Sequence, residues 1–466
     1  MAKEKIPFIQ SEAPDNRFPI NLFFLPKSFN GRDAMIGTPG LVARVESLIE
    51  EEVRGMRTDK NKDVLYVVAG NKLYLVDKTW TATAATSTLD SLVGPVFMES
   101  NLTQTMITDG STGYIVTKVG TTPTLTKIVD PDFVSPSSLT LQDSYFIVSK
   151  KNSFYYQISE LNNGLEWNAV DLGTAEGNSD DIFCIISDHR QLFLFKNKSG
   201  EVAYNDGVST FPFVRYPDVY IEGGIGAASS VVKADNSLFY LDNDFIVRRL
   251  DGFTPKIVSP PQLNQVLSLL TTKSDAKCYS YERQGNIFYV MIFPTENKTY
   301  VLNIATGFVH QWASGIDLDR HRSNCYESFN GKDLVGDYSN GKIYSLEDSV
   351  YTDDELPIKW IYTSPIYHSN GLVLFHKELQ INFAVGVGNV IDPGEDPDVM
   401  LRFSDDGMHT WSTELWKKLG KIGNYKNIVR WSRLGSSRLR TYELSGTAPV
   451  KRMFAEVNLD IEVGNG

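Results

Sequence analysis

The sequence predicts an all-β protein, a β-propeller of six to seven blades followed by a C-terminal antiparallel β-sandwich. Two observations predict the propeller: a β-hairpin pattern that recurs along most of the chain, and the regular spacing of its copies. A third observation predicts the sandwich, because longer alternating strands without that spacing follow residue 350.

The hairpin pattern is clearest at residues 63–77, DVLYVVAGNKLYLVD. Two runs rich in β-branched and aromatic residues flank Ala69, Gly70 and Asn71. Gly70 and Asn71 tolerate the positive φ that a tight turn requires. The pattern returns six times, at residues 104–118, 144–158, 191–204, 237–250, 286–303 and 333–346.

The spacing can be measured from one apolar residue in the first strand of each hairpin: Tyr66, Ile107, Phe146, Phe193, Phe239, Phe288 and Val335. The successive steps are 41, 39, 47, 46, 49 and 47 residues, close to the period of roughly 40–50 residues at which propeller blades repeat. A lone hairpin is marginal in water, so the copies must bury their faces against one another. The alternative is an irregular β-sandwich of hairpins, which the regular step disfavours.

Composition limits the partners and the compartment. The 466 residues include 45 basic and 57 acidic side chains, a formal net charge of −12. Such a protein is not expected to grip nucleic acid by neutralising phosphates, although it could surround DNA and let it slide. No stretch approaches 18 apolar residues and residues 1–11 lack a secretory signal. We therefore expect a soluble protein made in a cytoplasm, without membrane insertion.

The predicted domains are an extended N-terminal arm at residues 1–40, a propeller at 41–350 and a sandwich at 357–466. Four prolines within residues 1–32 forbid a continuous helix there. Its segment FPINLFFLP, residues 18–26, is apolar enough to pack across the first blade or another subunit. Residues 41–56 fit either a helix or the first strands of a blade.

One helix is predicted at residues 259–270, SPPQLNQVLSLL. Ser259 could cap it, and the two prolines fall in the first turn, where a missing N–H is harmless. Its apolar face is expected to dock between two blades. Six strand patterns are predicted in the sandwich, at residues 358–362, 373–383, 399–403, 428–434, 439–444 and 457–461.

No catalytic residue, cofactor-binding residue or metal ligand is predicted. The sequence lacks HExxH, GxSxG, phosphate-loop and EF-hand patterns. Residues 223–226, GGIG, lack the final glycine and helix of a nucleotide loop and are interpreted as an inter-blade crossing. The histidines are scattered singly, which is typical of structural or exposed residues: His189, His310, His321, His368, His376 and His409. The cysteines have no CxxC spacing and are expected to be buried free thiols: Cys184, Cys278 and Cys325.

Four polar segments could in principle form a site. Residues 317–322, DLDRHR, could bind an anion or a metal, but a solvated loop or subunit contact is the favoured interpretation. The acidic pairs at 180–181 and 353–354 would serve glycoside hydrolysis only beside a partner carboxylate in a cleft. Residues 404–411, SDDGMHTW, are similar to the Asp-box of sialidase-type propellers, with Met408 where that box has glycine. We interpret this box as a structural turn.

The order of several short motifs is more informative than any one of them. NLFFLP at residues 21–26 is followed by GTPGL at 37–41. Further parts lie in the same order: IVSP at 257–260 before the predicted helix, a strand–turn–strand pattern ending in "TG…W" at 306–312, DDG at 405–407 and the terminal strand at 457–462. This order resembles the head-to-tail hub proteins of short-tailed bacteriophages, also called tail-nozzle or packaged-DNA-stabilisation proteins.

The resemblance implies a structural virion protein of the tail, without catalytic residues, that is assembled in the host cytoplasm. It implies a homo-oligomeric ring, usually a hexamer, that extends the portal–adaptor channel and helps to retain the packaged genome. The implied partners are a head-to-tail adaptor protein and a tail needle, tailspike or fibre protein. Double-stranded DNA would pass through the lumen during ejection without specific binding, and we expect that lumen to be acidic.

The sequence is compatible with two other functions. The first is a sialidase-like or other carbohydrate-active β-propeller, which needs an arginine triad in the blades. The arginines instead cluster in the predicted sandwich, at Arg430, Arg433, Arg438 and Arg440. The second is a cellular protein-binding scaffold. A native mass near six protomers would favour the ring.

Overall fold

The computed structural model describes residues 17–29, 32–61, 63–119, 122–208 and 211–464. Within these ranges the chain is almost entirely β, and the predicted class, a propeller with a β-sandwich, is confirmed. No described helix has the length and apolar composition needed to cross a membrane. The chain opens with three strands that join sheets completed much later: β1 (Leu22–Phe29), β2 (Arg32–Gly37) and β3 (Gly40–Val45).

Seven sheets then follow in sequence and form the blades. The first four are β4 (Val53–Asp59), β5 (Val64–Ala69), β6 (Lys72–Val76) and β7 (Ala82–Thr88); β8 (Phe97–Ser100), β9 (Thr105–Thr108), β10 (Gly113–Val119) and β11 (Thr122–Lys127); β12 (Pro136–Gln142), β13 (Tyr145–Lys150), β14 (Tyr155–Glu160) and β15 (Asn163–Thr174); β16 (Ile182–Asp188), β17 (Gln191–Lys196), β18 (Ser199–Asn205) and β19 (Phe213–Glu222).

The last three blades are interrupted by the single described α-helix. They are β20 (Val232–Ala234), β21 (Ser237–Leu241), β22 (Val247–Asp251) and β23 (Thr254–Ile257); then α1 (Pro261–Leu269); β24 (Lys277–Arg283), β25 (Asn286–Phe293), β26 (Lys298–Asn303), β27 (Val309–Ser314) and β28 (Asp319–Arg320); β29 (Ser323–Phe329), β30 (Lys332–Asp337), β31 (Ile343–Glu347), β32 (Thr352–Asp353) and β33 (Leu356–Pro357).

The N-terminal strand closes the propeller. The first strands of most neighbouring blades contact one another, and β29 of the seventh blade contacts β4 of the first. In the seventh sheet the outer position beside β31 is taken by β3, with Leu41 opposite Leu346 and Ala43 opposite Tyr344. Within residues 41–56, which the sequence left ambiguous between a helix and strands, residues 41–45 and 53–56 are strands joined by a loop. The circle is fastened by backbone hydrogen bonds between distant parts of the chain.

The seven predicted hairpins are the second and third strands of the seven blades. All seven residues used to measure the spacing are buried, with 4% exposure or less. These middle strands are covered on both faces by neighbouring blades, so they need apolar residues at nearly every position. The outer strands β7, β15 and β19 are largely exposed and polar, so their sequences lack that pattern.

The helix α1 lies at the predicted place, and Leu263 and Leu267 bury its apolar face against the fifth and sixth blades. The predicted cap is wrong. Pro260 occupies the N-cap position, and no side chain caps the helix. The Ser259 hydroxyl instead accepts a hydrogen bond from the Val247 amide at 3.2 Å and donates to Asn264 Oδ1 at 2.6 Å.

The sandwich is built from β34 (Trp360–Thr363), β35 (Tyr367–His368), β36 (Leu374–Phe383), β37 (Asp398–Ser404), β38 (Leu415–Lys418), β39 (Val429–Ser432), β40 (Ser436–Ser437), β41 (Leu439–Gly446) and β42 (Met453–Val463). One sheet has the order β1–β2–β42–β36–β39, with β40 also on β36. The other has the order β34–β41–β37–β38, with β35 on β41. Aliphatic and aromatic residues between the two sheets, such as Leu379, Leu401 and Tyr442, form its core.

The N-terminal segment differs from the prediction of an extended arm. Residues 1–16 lie outside the described residues, but β1 and β2 form a hairpin, and β2 pairs with β42 as part of the sandwich. The predicted packing across the first blade is also wrong, because β1 lies between the sandwich and the sixth blade. Alternate residues of β1 face two different cores, since Leu22 packs in the sandwich and Phe23 in the propeller.

Candidate functional site at the domain junction

Asn21 lies where the propeller meets the sandwich. Its backbone has a φ of 55°, a conformation that asparagine tolerates better than most residues. Its side-chain amide donates to the carbonyls of Ala313 at 2.8 Å and Lys359 at 2.7 Å. Its Oδ1 accepts from the Ala313 amide at 2.9 Å. One side chain, 1% exposed, thereby ties β27 of the sixth blade to the segment that enters β34.

The backbone around Asn21 continues this connection. The Asn21 amide donates to the Gln311 carbonyl at 2.9 Å, and the Gln311 amide donates to Pro19 at 2.8 Å. Ile20 exchanges two hydrogen bonds with Ile361, at 2.9 and 3.1 Å. Residues 19–21 therefore form a short bridge that is bonded to a propeller strand on one side and to a sandwich strand on the other.

The second motif, GTPGL, forms the other half of the junction. The Arg452 guanidinium donates through Nη2 to the Thr38 carbonyl at 2.6 Å, and the Gly37 amide donates to the Arg452 carbonyl at 2.7 Å. A Cβ at Gly37 would lie 2.6 Å from Arg452 Nε. A Cβ at Gly40 would lie 2.5 Å from the Val350 carbonyl oxygen. Both glycines are needed because other parts of the chain approach their backbone so closely.

A buried acid, Asp353, and a buried base, Arg452, lie at the junction. Burial raises the pKa of Asp353, on β32 of the seventh blade, to about 6, although the nearby Arg452 charge opposes this. Burial likewise lowers the pKa of Arg452 to about 10. Asp353 accepts a hydrogen bond from the Ser314 hydroxyl at 3.2 Å. Each charge favours the ionised form of the other through a Coulomb interaction rather than a direct salt bridge, and both have little access to water.

Three residues of the charged segment 317–322 make contacts within the protein. His321 is buried, its ring centre lies 4.5 Å from that of Trp312, and burial lowers its pKa to about 3. Arg320 lies 3.8 Å above the Tyr338 ring, and Arg322 pairs with Asp337 at 3.1 Å. Within the described residues no group of three His, Cys, Asp or Glu side chains could hold a metal ion.

The other candidate segments have structural roles. In the Asp-box-like turn, Asp406 accepts hydrogen bonds from the hydroxyls of Ser404 and Thr410 and from the Thr410 amide, which hold its pKa well below the usual range. In the GGIG segment, a Cβ at Gly224 would lie 2.1 Å from the Asn197 backbone, so the glycine allows a close crossing between the fourth and fifth blades. Both segments are turns or crossings, as interpreted.

The acidic pairs and the arginines do not converge. Asp353 belongs to the junction, whereas Asp180 accepts hydrogen bonds from the Lys198 amide and the Ser199 hydroxyl. Arg440 is buried against Asp405 inside the sandwich. Three histidines are buried and three exposed, and the three cysteines are free thiols whose pKa burial raises to about 12.

Sequence reasoning missed Asn21 and Arg452 as the residues that join the domains. Asn21 contacts a residue 292 positions away, and Arg452 one 414 positions away. The available signal was indirect: NLFFLP and GTPGL, the first two motifs of the resemblance, are the two segments that build the junction.

Two family models match the chain, one for each of its two domains. A family model described as "Bacteriophage P22 Gp10, beta-propeller" matches residues 10–351, and one described as "Bacteriophage P22 Gp10, beta-sandwich" matches residues 359–462. No curated protein sequence matches the chain.

Several solved propellers are similar in structure. The WD40 domain of Neurospora crassa Pan2 has 9% identity and a TM-score of 0.43, covering 68% of this chain and 96% of that one. Streptogramin B lyase has 11% identity and a TM-score of 0.44, with 66% and 98% covered. The N-terminal domain of Nup159 has 10% identity and a TM-score of 0.42, with 72% and 99% covered. These similarities concern the propeller fold and not the function. The two family models together span most of the sequence, and the chain belongs to the family of bacteriophage P22 Gp10, structural proteins of the phage particle.

Proposed function

We propose that the chain is the ring-forming subunit of a phage tail hub, or nozzle, and has no enzymatic role. The observation that carries the proposal is the family match over both domains, propeller and sandwich in the same order. In this role the ring, a hexamer, extends the portal–adaptor channel, helps to retain the packaged genome and offers attachment to a needle, tailspike or fibre.

The contacts at the domain junction support the role of a ring subunit. A ring subunit must hold its two domains at one fixed angle, because a hinge would let each contact in the ring take a different geometry. Asn21, the Ile20–Ile361 pairing and Arg452 all restrain that angle with buried hydrogen bonds. A propeller also leaves only short, protected strand edges, which limits unwanted strand pairing.

Charge distribution supports passage of DNA without tight binding. Residues 1–358 contain 32 basic and 45 acidic side chains, whereas residues 359–466 contain 13 basic and 12 acidic. A channel walled by the propeller would therefore repel phosphates on balance. We expect the ring lumen to carry an excess of Asp and Glu.

Native mass spectrometry and cryo-electron microscopy of the purified chain, alone and mixed with its adaptor ring, test this proposal. Six 52.2-kDa chains give a particle of about 310 kDa, and the map should show an open channel with acidic walls. A monomer in both preparations, or a lumen lined mainly by Lys and Arg, would contradict the proposal.

A further inference from the structure

The edge of the sandwich formed by residues 415–433 is strongly basic within this acidic protein. It contains six Lys and Arg residues and no Asp or Glu. Lys417, Lys426 and Arg433 are exposed and form no ion pair with any described residue. The edge comprises β38, β39 and the loop between them, and we call it the basic edge.

The basic edge also exposes large apolar side chains. Trp416 is 57% exposed and Tyr425 is 72% exposed, and Ile422 and Ile428 lie in the same loop with 60% exposure each. The loop is fixed to its neighbour at residues 385–397, since the Gly423 amide donates to the Gly386 carbonyl at 3.3 Å. Adjacent exposed apolar residues ringed by charges are typical of a surface that binds another protein.

A complementary surface lies on the third blade. Residues 152–176 contain four Asp and Glu and no Lys or Arg. Glu160, Glu166 and Glu176 are exposed along or beside the outer strand β15, together with the apolar residues Leu161 and Val170. Burial and the adjacent Glu160 raise the pKa of Asp171, so acidic side chains repel one another here without an internal partner of opposite charge. We call this surface the acidic edge.

The two surfaces lie at opposite ends of the molecule. The strands β1 and β34 place one side of the sandwich against the sixth blade, and β38 and β39 are at the far side of both sheets. The third blade is three positions from both the sixth and the seventh blade, in opposite directions around the ring, and so lies across the propeller axis. The basic and acidic edges of one chain therefore cannot meet, but those of two copies can.

We propose that the basic edge of one copy docks on the acidic edge of the next copy, and that this head-to-tail contact builds the ring. The inference rests on the proposed function and adds the residues of the contact. Such a contact joins two different patches, so it propagates around a ring when its rotation closes. Lys417 and Lys418 on the edge strand β38 discourage pairing with another strand, so the contact uses side chains rather than an extended sheet.

The exposed aromatic and aliphatic residues favour a protein over nucleic acid as the occupant. A surface for DNA would use the same cations but gain little from burying Ile422 and Ile428 against a phosphate backbone. The chain also supplies its own acidic counterpart, which DNA binding does not require. DNA binding is therefore the competing outcome of the test.

The test is a charge swap in the full-length protein, read by native mass spectrometry and sedimentation velocity. Reversing the basic edge (K417E, K426E and R433E) or the acidic edge (E160K, E166K and E176K) should weaken assembly by about 10–100-fold in the association constant per contact. Combining both sets should restore the ring, because each contact regains opposite charges. A control with three exposed lysines elsewhere reversed, K60E, K72E and K233E, should assemble like the wild type.

The outcomes separate this inference from the proposed function. If the unmodified chain assembles and both reversed sets assemble equally well, the docking inference is wrong and the proposed ring stands. If the unmodified chain stays a monomer even with the adaptor, the proposed ring fails and the inference fails with it. If the basic-edge variant keeps its ring but loses affinity for a 40-bp duplex, the edge is a DNA surface and the inference is overturned. Trp416→Ser, at an exposed position, should weaken assembly without changing the melting temperature.

Discussion

Replacing Asn21 with alanine should destabilise the protein more than almost any other single polar substitution. The change leaves two carbonyls, of Ala313 and Lys359, and the Ala313 amide buried without a partner. An unsatisfied buried group costs about 1–3 kcal/mol, and such losses are not additive at one site. We therefore expect a loss of about 3–5 kcal/mol, to which alanine at a φ of 55° adds about 1 kcal/mol.

Calorimetry and urea unfolding measure this loss. For 466 residues an unfolding entropy of about 2.1 cal/mol/K per residue gives about 1 kcal/mol per degree. The total of about 4–6 kcal/mol should therefore lower the midpoint temperature by about 4–6 °C. If the junction is what couples the domains, the calorimetric peak should also split into separate sandwich and propeller transitions.

Two controls separate the causes. Asn21→Gly removes the same three hydrogen bonds but accepts the positive φ, so it should be about 1 kcal/mol less harmful than Asn21→Ala. Asn152 has a φ of 52° and an exposed side chain, so Asn152→Ala should cost only the backbone term. A free energy of unfolding for Asn21→Ala within about 0.5 kcal/mol of the wild-type value would refute the role assigned to this side chain.

Three further predictions concern the junction and the sandwich. Gly37→Ala should lower the free energy of unfolding by about 1–3 kcal/mol, because the added Cβ displaces Arg452. Urea unfolding measures this loss, and an unchanged midpoint would contradict the close approach. His310 is buried, and burial lowers its pKa to about 3. Below pH 6.5 this residue therefore binds a proton in the unfolded chain but not in the folded chain. Stability is therefore lost as pH falls, by about 2 kcal/mol at pH 5 for this residue. His310→Phe should remove that part of the pH dependence, while the buried His321 and His376 retain theirs. Asp406→Ala should speed hydrogen exchange at the amides of residues 409–410 without changing the native mass, and protected amides in the variant would argue against the turn's role.

The sequence revealed the parts of the fold that are buried on two faces. Each middle hairpin of a blade packs against both neighbours, so Tyr66, Phe146 and Phe288 sit in runs where nearly every residue is apolar. A run of that kind is visible locally, and its recurrence gives the propeller. The outer strand β15 carries charges on its open face and so gives no comparable local signal.

The junction could not be predicted because its contacts join distant parts of the chain. Asn21 within NLFFLP is an ordinary polar residue until residue 313 lies beside it, and Arg452 gives no local sign that it will pack on Gly37. The arm prediction failed for the same reason. Prolines exclude a helix over residues 1–40, but they do not exclude a hairpin whose partner strand, β42, lies more than 400 residues later.

The path of the N-terminal segment explains why the two domains act as one body. The segment enters at Asn21, crosses the sandwich sheet as β1 and β2, turns at Gly37–Gly40 and then closes the propeller as β3. Pulling the sandwich away would have to break buried hydrogen bonds of Asn21 or strand pairs of β2, and the same chain holds the seventh blade shut. In a head-to-tail ring, force between neighbours would pass through this segment and through the linker into β34, and an error in the angle between the domains would accumulate from copy to copy. A ring of such subunits can therefore close only if the junction is rigid, so variants that loosen Asn21 should form open or irregular oligomers before they lose their fold.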